Sequence, residues 1–121
     1  MKLAIIGSRD FPNVDFAKTQ IIKYLSSGKY NTLVSGGARG IDSLAETGVD
    51  IVKQIYKLDI KKEIYHPNWD KFGKRAGFLR NNDIIKHADM VVVFWDGNSK
   101  GTKHSIDLAI KMKKPINIYI R

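Results

Sequence analysis

The run Met90-Val91-Val92-Val93-Phe94-Trp95-Asp96-Gly97-Asn98-Ser99-Lys100-Gly101-Thr102 decides the fold. Its unbroken apolar start predicts a strand covered on both faces, as in the middle of a parallel sheet. The glycine-rich turn that follows leads into an amphipathic helical pattern from Thr102 to about Met112. A second unit repeats the design. The short strand Asn31 to Val34 enters the turn Ser35-Gly36-Gly37-Ala38-Arg39-Gly40, and Ile41, Leu44, Ala45, Gly48, Ile51, Val52 and Ile55 then follow at helical spacing, which predicts one buried stripe. Turns of small residues between strand and helix aim several backbone N–H groups, and the positive end of the helix dipole, at one point. Both turns therefore read as anion cradles, and phosphate is the ligand they suit.

The rest of the chain keeps the same alternation. Lys2 to Ile6 reads as a buried strand ending at Gly7, and Asp15 to Ser27 as a helix with Ala17, Ile21, Tyr24 and Leu25 on its apolar face, ended by Gly28. A third strand is expected at Glu63 to His66, then a turn at Pro67-Asn68-Trp69-Asp70, then a helix with Phe78, Ile85 and Ala88 on one face. Pro115 to Tyr119 reads as the last strand. Alternating β and α elements imply right-handed crossovers and helices on both faces of the sheet. The expectation is an α/β fold in one domain over residues 1–121: a Rossmann-like three-layer sandwich with a five-stranded parallel sheet of order 3-2-1-4-5. Strand order then reverses between the first and fourth strands, where such sheets bind ligands. Gly7-Ser8-Arg9, Ser35 to Asp42, and Asp96 to Thr102 converge on that crevice.

Composition sets outer bounds. A chain of 121 residues supports one core, and no apolar run approaches a membrane span. The start lacks the apolar region and cleavage site of a signal peptide, so a cytoplasmic protein is expected. With no cysteine, disulfides, thiolate zinc sites and cysteine nucleophiles are excluded; His66, His87 and His104 lack ligand spacing, so no metal is expected. The net charge of +9 favours polyanions, but much of it is scattered lysine, as at Lys61, Lys62, Lys111, Lys113 and Lys114. That pattern reads as a solvated surface rather than a nucleic-acid track. No Walker-type pattern is present, so triphosphate hydrolysis is not expected.

Five motifs in order, Gly7-Ser8-Arg9-Asp10-Phe11, Ser35 to Asp42, Pro67-x-Trp69-Asp70, Gly73-x-x-Ala76-Gly77-x-x-Arg80-Asn81 and Phe94-Trp95-Asp96-Gly97-x-Ser99-x-Gly101-Thr102, closely resemble the YspA-related branch of the SLOG superfamily. The resemblance spans nearly the whole chain and extends to the Lonely Guy phosphoribohydrolases and to the Rossmann domain of the DNA-processing protein A family. It implies a nucleotide or nucleotide-derived ligand, roles in bacterial or phage conflict, and a homo-oligomer. It also places Arg9, Arg39 and Arg80 at the crevice, where a planar guanidinium binds phosphate bidentately. In the phosphoribohydrolases a glutamate stands three positions after the Gly-Thr pair; here that position is Ser105, which cannot act as a general base without an activator. Asp42 and Asp96 are left to bind ribose hydroxyls, to do acid–base work, or to cap a helix or close a turn.

The leading expectation is binding of a nucleotide-derived small molecule, for sensing, sequestration or processing. Gly7, Ser8, Arg9, the turn Ser35, Gly36, Gly37, Ala38, Arg39 and Gly40, with Arg80 and Asn81, face the phosphate. Asp42 or Asp96 meets the ribose, Trp69 the base, and Gly97, Ser99, Lys100, Gly101 and Thr102 complete the second cradle. Phe72 near Trp69 is a second stacking surface, while Trp95 is expected to pack in the core. No catalytic residue is assigned; an enzyme built this way would hydrolyse an N-glycosidic bond. The alternatives are single-stranded nucleic-acid binding, as in the DNA-processing family, and nucleoside-monophosphate phosphoribohydrolase activity.

Overall fold

The computed structural model describes residues 1–120. The chain runs β1 (Lys2–Gly7), α1 (Val14–Ser26), β2 (Thr32–Ser35), α2 (Ile41–Tyr56), β3 (Lys61–Ile64), α3 (Trp69–Phe72), a 3-10 turn (Gly73–Arg75), α4 (Ala76–His87), β4 (Met90–Trp95), α5 (Lys100–Lys111) and β5 (Ile116–Ile120). The five strands form one sheet in the order β3-β2-β1-β4-β5, and every neighbouring pair is parallel. The sheet order matches the sequence-based expectation.

Strand alternation divides the interior in two. Leu3 and Ile5 of β1 and Val92 and Phe94 of β4 pack toward α1 and α2, against Ile21, Leu25, Ala45, Val49 and Val52. Their neighbours Ala4, Ile6, Val91 and Val93 pack on the other face against Ile84, Ile85, Ile106 and Ala109 of α4 and α5. Both central strands are thus apolar at every interior position because helices cover both of their faces. Phe94 anchors the first layer, with Phe11 edge-on at 5.6 Å and Tyr119 stacked at 5.2 Å.

Three expectations need correction. In α2 the buried face runs through Ile41, Ala45, Gly48, Val49 and Val52, while Ile51 and Ile55 are 41% and 66% exposed. That helix packs on α1 and on the sheet only over its inner stripe, and Ile51 and Ile55 stand to one side of it. Phe78 does not share the buried face of Ile85 and Ala88; it stands on the first turn of α4 with its ring edge-on to His104 at 4.6 Å. The third strand begins two residues earlier, at Lys61, because pairing with β2 fixes its register, Thr32 to Lys61 and Ser35 to Ile64. Lys61 and Lys62 on this edge strand are exposed, so hydrophobicity gave no signal there.

Candidate nucleotide-phosphate cleft

The ends of β1, β2 and β4 open on one side of the sheet, and between them lies a cleft of about 510 Å³. Gly7, Arg9 and Asp10 come from the first loop, Ala38 and Asp42 from the second, and Arg80 and Asn81 from α4. Asp96, Asn98, Ser99, Gly101 and Thr102 close the side below β4, with Ser105 of α5 at the base. This is the point at which strand order reverses. Asp10, Asn98 and Ser105 line the cleft although none was proposed as a ligand contact; each stands within or beside a motif, so position along the chain was the available signal.

The remaining candidates serve behind the wall or at the rim. Ser8 is buried, its N–H donating to Phe94 O at 3.0 Å and its hydroxyl accepting from Asp96 N at 3.1 Å, which ties the first loop to the fourth. Ser35 is also buried and donates to Glu46 Oε2 at 3.1 Å. Arg39, Gly97 and Lys100 are exposed. Trp69, 55% exposed, lines a separate shallow groove with His66, Pro67, Asn68 and Asp70. Trp95 is partly buried in the second layer and donates its indole N–H to Ser99 O at 3.1 Å.

Two glycines set the shape of the cleft by what they lack. Gly40, with φ +79°, lies against the Arg9 backbone so closely that a Cβ would stand 2.5 Å from Arg9 O. Gly36 is backed by Arg80, where a Cβ would stand 2.7 Å from Nη1. Arg80 uses the space: Nη1 donates to Gly36 O at 2.9 Å and Nε to Asn81 Oδ1 at 3.0 Å. Burial holds this guanidinium below its ordinary pKa; nearby Asp42 opposes the shift, and the like charge of Arg9 adds to it. Among the described residues the ion pairs are Lys2–Glu63, Lys62–Asp50 and Lys103–Asp107, so neither arginine of the cleft is paired with a carboxylate.

The two glycine turns are occupied in part by the chain itself. Asp42, buried in the first turn of α2, accepts from Ala38 N at 3.2 Å. Burial raises its carboxyl above the ordinary range, against the lowering effect of that bond and of Arg80. Asp96 Oδ1 accepts from both Asn98 N and Ser99 N at 2.8 Å, which holds its carboxyl below the ordinary range. Ser99 caps α5, its Oγ accepting from Thr102 N at 3.4 Å. Amides read from sequence as phosphate donors are thus committed to carboxylates, because an aspartate beside such a turn reaches them at no cost in association entropy. What the cleft offers an anion is chiefly the pair Arg9 and Arg80. No serine here has an activating histidine: Ser99 Oγ meets Thr102 Oγ1 at 3.1 Å, and His104 Nδ1 lies 3.4 Å from Asn81 Nδ2.

The fold is a Rossmann-like α/β fold of the kind found in DNA processing protein A. Superposition gives a TM-score of 0.71 at 19% identity with that protein from Streptococcus pneumoniae, covering 97% of this chain and 49% of that one. With DNA processing protein A from Helicobacter pylori, a structure described for its single-stranded DNA binding mode, the TM-score is 0.66 at 24% identity, covering 98% of this chain and 64% of that one. At these identities the likeness is one of fold, and this chain spans from about half to just under two thirds of those proteins. The chain matches no family model. Over 117 residues it is 30% identical to the Gene 61 protein of Mycobacterium phage D29, covering 95% of this chain and 93% of that protein, and it belongs to the family of that phage protein. Among the described residues no helix is long and apolar enough to cross a membrane.

Proposed function

We propose that the cleft binds single-stranded DNA through its phosphates. The observation that carries the reading is the convergence of Arg9 and Arg80 on one cleft at the switch point of the sheet, with no ion pair to either among the described residues. Arg9 and Arg80 bring like charge to the cleft, with Asp42 near Arg80 but not in an ion pair with it, and a bound phosphate relieves the repulsion between the two guanidinium groups. Exposed Arg39 and Lys100 extend the positive rim, and the net charge of +9 draws a polyanion toward it. The fold shared with DNA processing protein A supports the same reading, one of those proteins being described for its single-stranded DNA binding mode. We also place the chain in the YspA-related branch of the SLOG superfamily, on the five motifs quoted above.

A second reading, capture of a nucleotide-derived small molecule, is favoured by the size of the cleft and by Asp42 and Asp96 in its wall, where ribose hydroxyls find acceptors. Hydrolysis is not supported: Ser105 occupies the position of the required carboxylate, and the bonds that Asp42 and Asp96 make are to loop amides. Fluorescence anisotropy with labelled oligothymidylate separates the readings. Single-strand binding predicts affinity that rises with length and falls with salt by about 0.7 log units per log unit of salt for each phosphate neutralised. Arg80→Ala is expected to weaken it by roughly 10- to 150-fold, the range for a hydrogen bond to a charged group. If a mononucleotide competes as well as the oligomer and length has no effect, the small-molecule reading replaces this one.

A further inference from the structure

Residues 68–75 form a spur on which the core does not depend. Neither α3 nor the 3-10 turn that follows contains a buried residue, yet the segment carries Trp69 and Phe72, 55% and 43% exposed. Phe78, on the first turn of α4, is 51% exposed. Large aromatics grouped on one protruding segment mark a surface that something else covers. The residues between them limit what that is. Lys71, Lys74 and Arg75 are all exposed, with Asp70 the one carboxylate among them, and the Lys71 ammonium lies 5.2 Å from the centre of the Phe72 ring. Cations interleaved with flat rings fit an anionic polymer that carries flat bases, and suit neither an apolar protein face nor a basic one.

The spur's groove is separate from the cleft but lies beside it at two points. Trp69 leans over α4, where a Cβ on Gly77 would stand 3.5 Å from its Cη2. Four residues on, about 6 Å along the helix axis, Asn81 lines the cleft. On the other side Gly37 abuts His66, which shares with Trp69 a groove of about 390 Å³. A chain leaving the cleft by either side meets Trp69 within a short step.

We infer that this spur is a base-stacking platform for the strand whose phosphates the cleft holds, with Trp69 and Phe72 stacking on bases while Lys71, Lys74 and Arg75 follow the backbone. The inference rests on the cleft reading above and adds to it: the ligand is a run of several nucleotides rather than one. Stacking on an aromatic ring tolerates any base, so the site has little sequence preference.

Intrinsic tryptophan fluorescence tests this, because the quenching lost in Trp69→Phe belongs to Trp69. Oligothymidylate of roughly 15 nucleotides, within the range that single-strand sites span, is expected to quench Trp69. The double variant Trp69→Ala/Phe72→Ala should bind it about 5- to 150-fold more weakly for each stack lost. Inorganic phosphate, which has no base to stack, should compete for the cleft of the double variant as it does for that of the wild type. Both side chains are exposed, so the variant should melt with the wild type. If the double variant keeps full affinity for the long oligomer and Trp69 is not quenched, while Arg80→Ala still weakens binding, the platform is refuted and the cleft reading survives. If the wild type binds no oligothymidylate, both fall together.

Discussion

Replacing Gly36 by alanine puts a single methyl between the second loop and Arg80, and its effects on binding and on stability should separate. The added Cβ would stand 2.7 Å from Arg80 Nη1, 3.1 Å from its Cζ and 3.0 Å from Asp42 Oδ2. The first two atoms belong to the far end of a flexible side chain, so the guanidinium moves rather than the backbone. Its bond to Gly36 O, 2.9 Å, is then lost or lengthened. A hydrogen bond to a charged group is worth about 1.5–3 kcal/mol; for a side chain only partly buried the low end applies. Alanine returns about 0.4–1 kcal/mol by restricting the unfolded chain. The net cost is therefore about 1 kcal/mol, and Tm should fall by roughly 3–6 °C. Oligothymidylate affinity, by contrast, should drop by about 10-fold, because the arginine no longer meets phosphate in its fixed geometry. The charge remains, so the dependence of affinity on salt should be nearly that of the wild type, whereas Arg80→Ala lowers the slope by about 0.7. Anisotropy titrations over a salt series, with a thermal melt of each variant, read all three quantities. Wild-type affinity in Gly36→Ala would refute the claim that Gly36 positions Arg80 for binding. A loss of more than about 3 kcal/mol would mean that the collision is with rigid structure.

Two further outcomes follow from the same loops. Gly40→Ala meets both a positive φ and the Arg9 backbone at 2.5 Å, so it should cost at least about 2 kcal/mol in urea unfolding, unlike Gly36→Ala; equal costs would refute that contrast. For Asp42, burial raises the carboxyl above its ordinary 3.8, so the folded state holds that proton more tightly than the unfolded chain. Its contribution to stability is full below 3.8 and is lost as pH rises through the folded value. Asp42→Asn keeps an acceptor for Ala38 N and removes the titration, so its stability relative to wild type should increase with pH across that interval. A gap that stays constant across the pH series would show that Arg80 and the loop amide cancel the effect of burial, and one that narrows as pH rises would show that they outweigh it.

The placement of the elements was legible because it rests on local patterns. The apolar runs Met90–Trp95 and Leu3–Ile6 required helices on both faces, and parallel crossovers of one hand then led to the observed strand order and crevice. What stayed hidden depended on partners distant in the chain. Helical spacing puts Ile51 and Ile55 on a stripe, but whether a stripe is covered depends on how far the neighbouring elements reach, and those two are exposed. Edge strand β3 took its register from β2, not from its own residues.

At the site, sequence alone determined which loops meet, since a strand's end and the helix that follows fix where a loop emerges. Tertiary structure decided what those loops do once there. Arg80 and Gly36, 44 positions apart, come within a hydrogen bond only through the packing of α4 beside β2. Asp42 and Asp96, while lining the cleft, each commit a carboxylate oxygen to amides of their own loops. Trp69 stands out from the fold on a spur instead of covering the core. Short-range backbone preference is written in neighbouring residues, whereas the burial and partner of a polar or aromatic side chain are set by surfaces that exist only after the sheet and helices have packed.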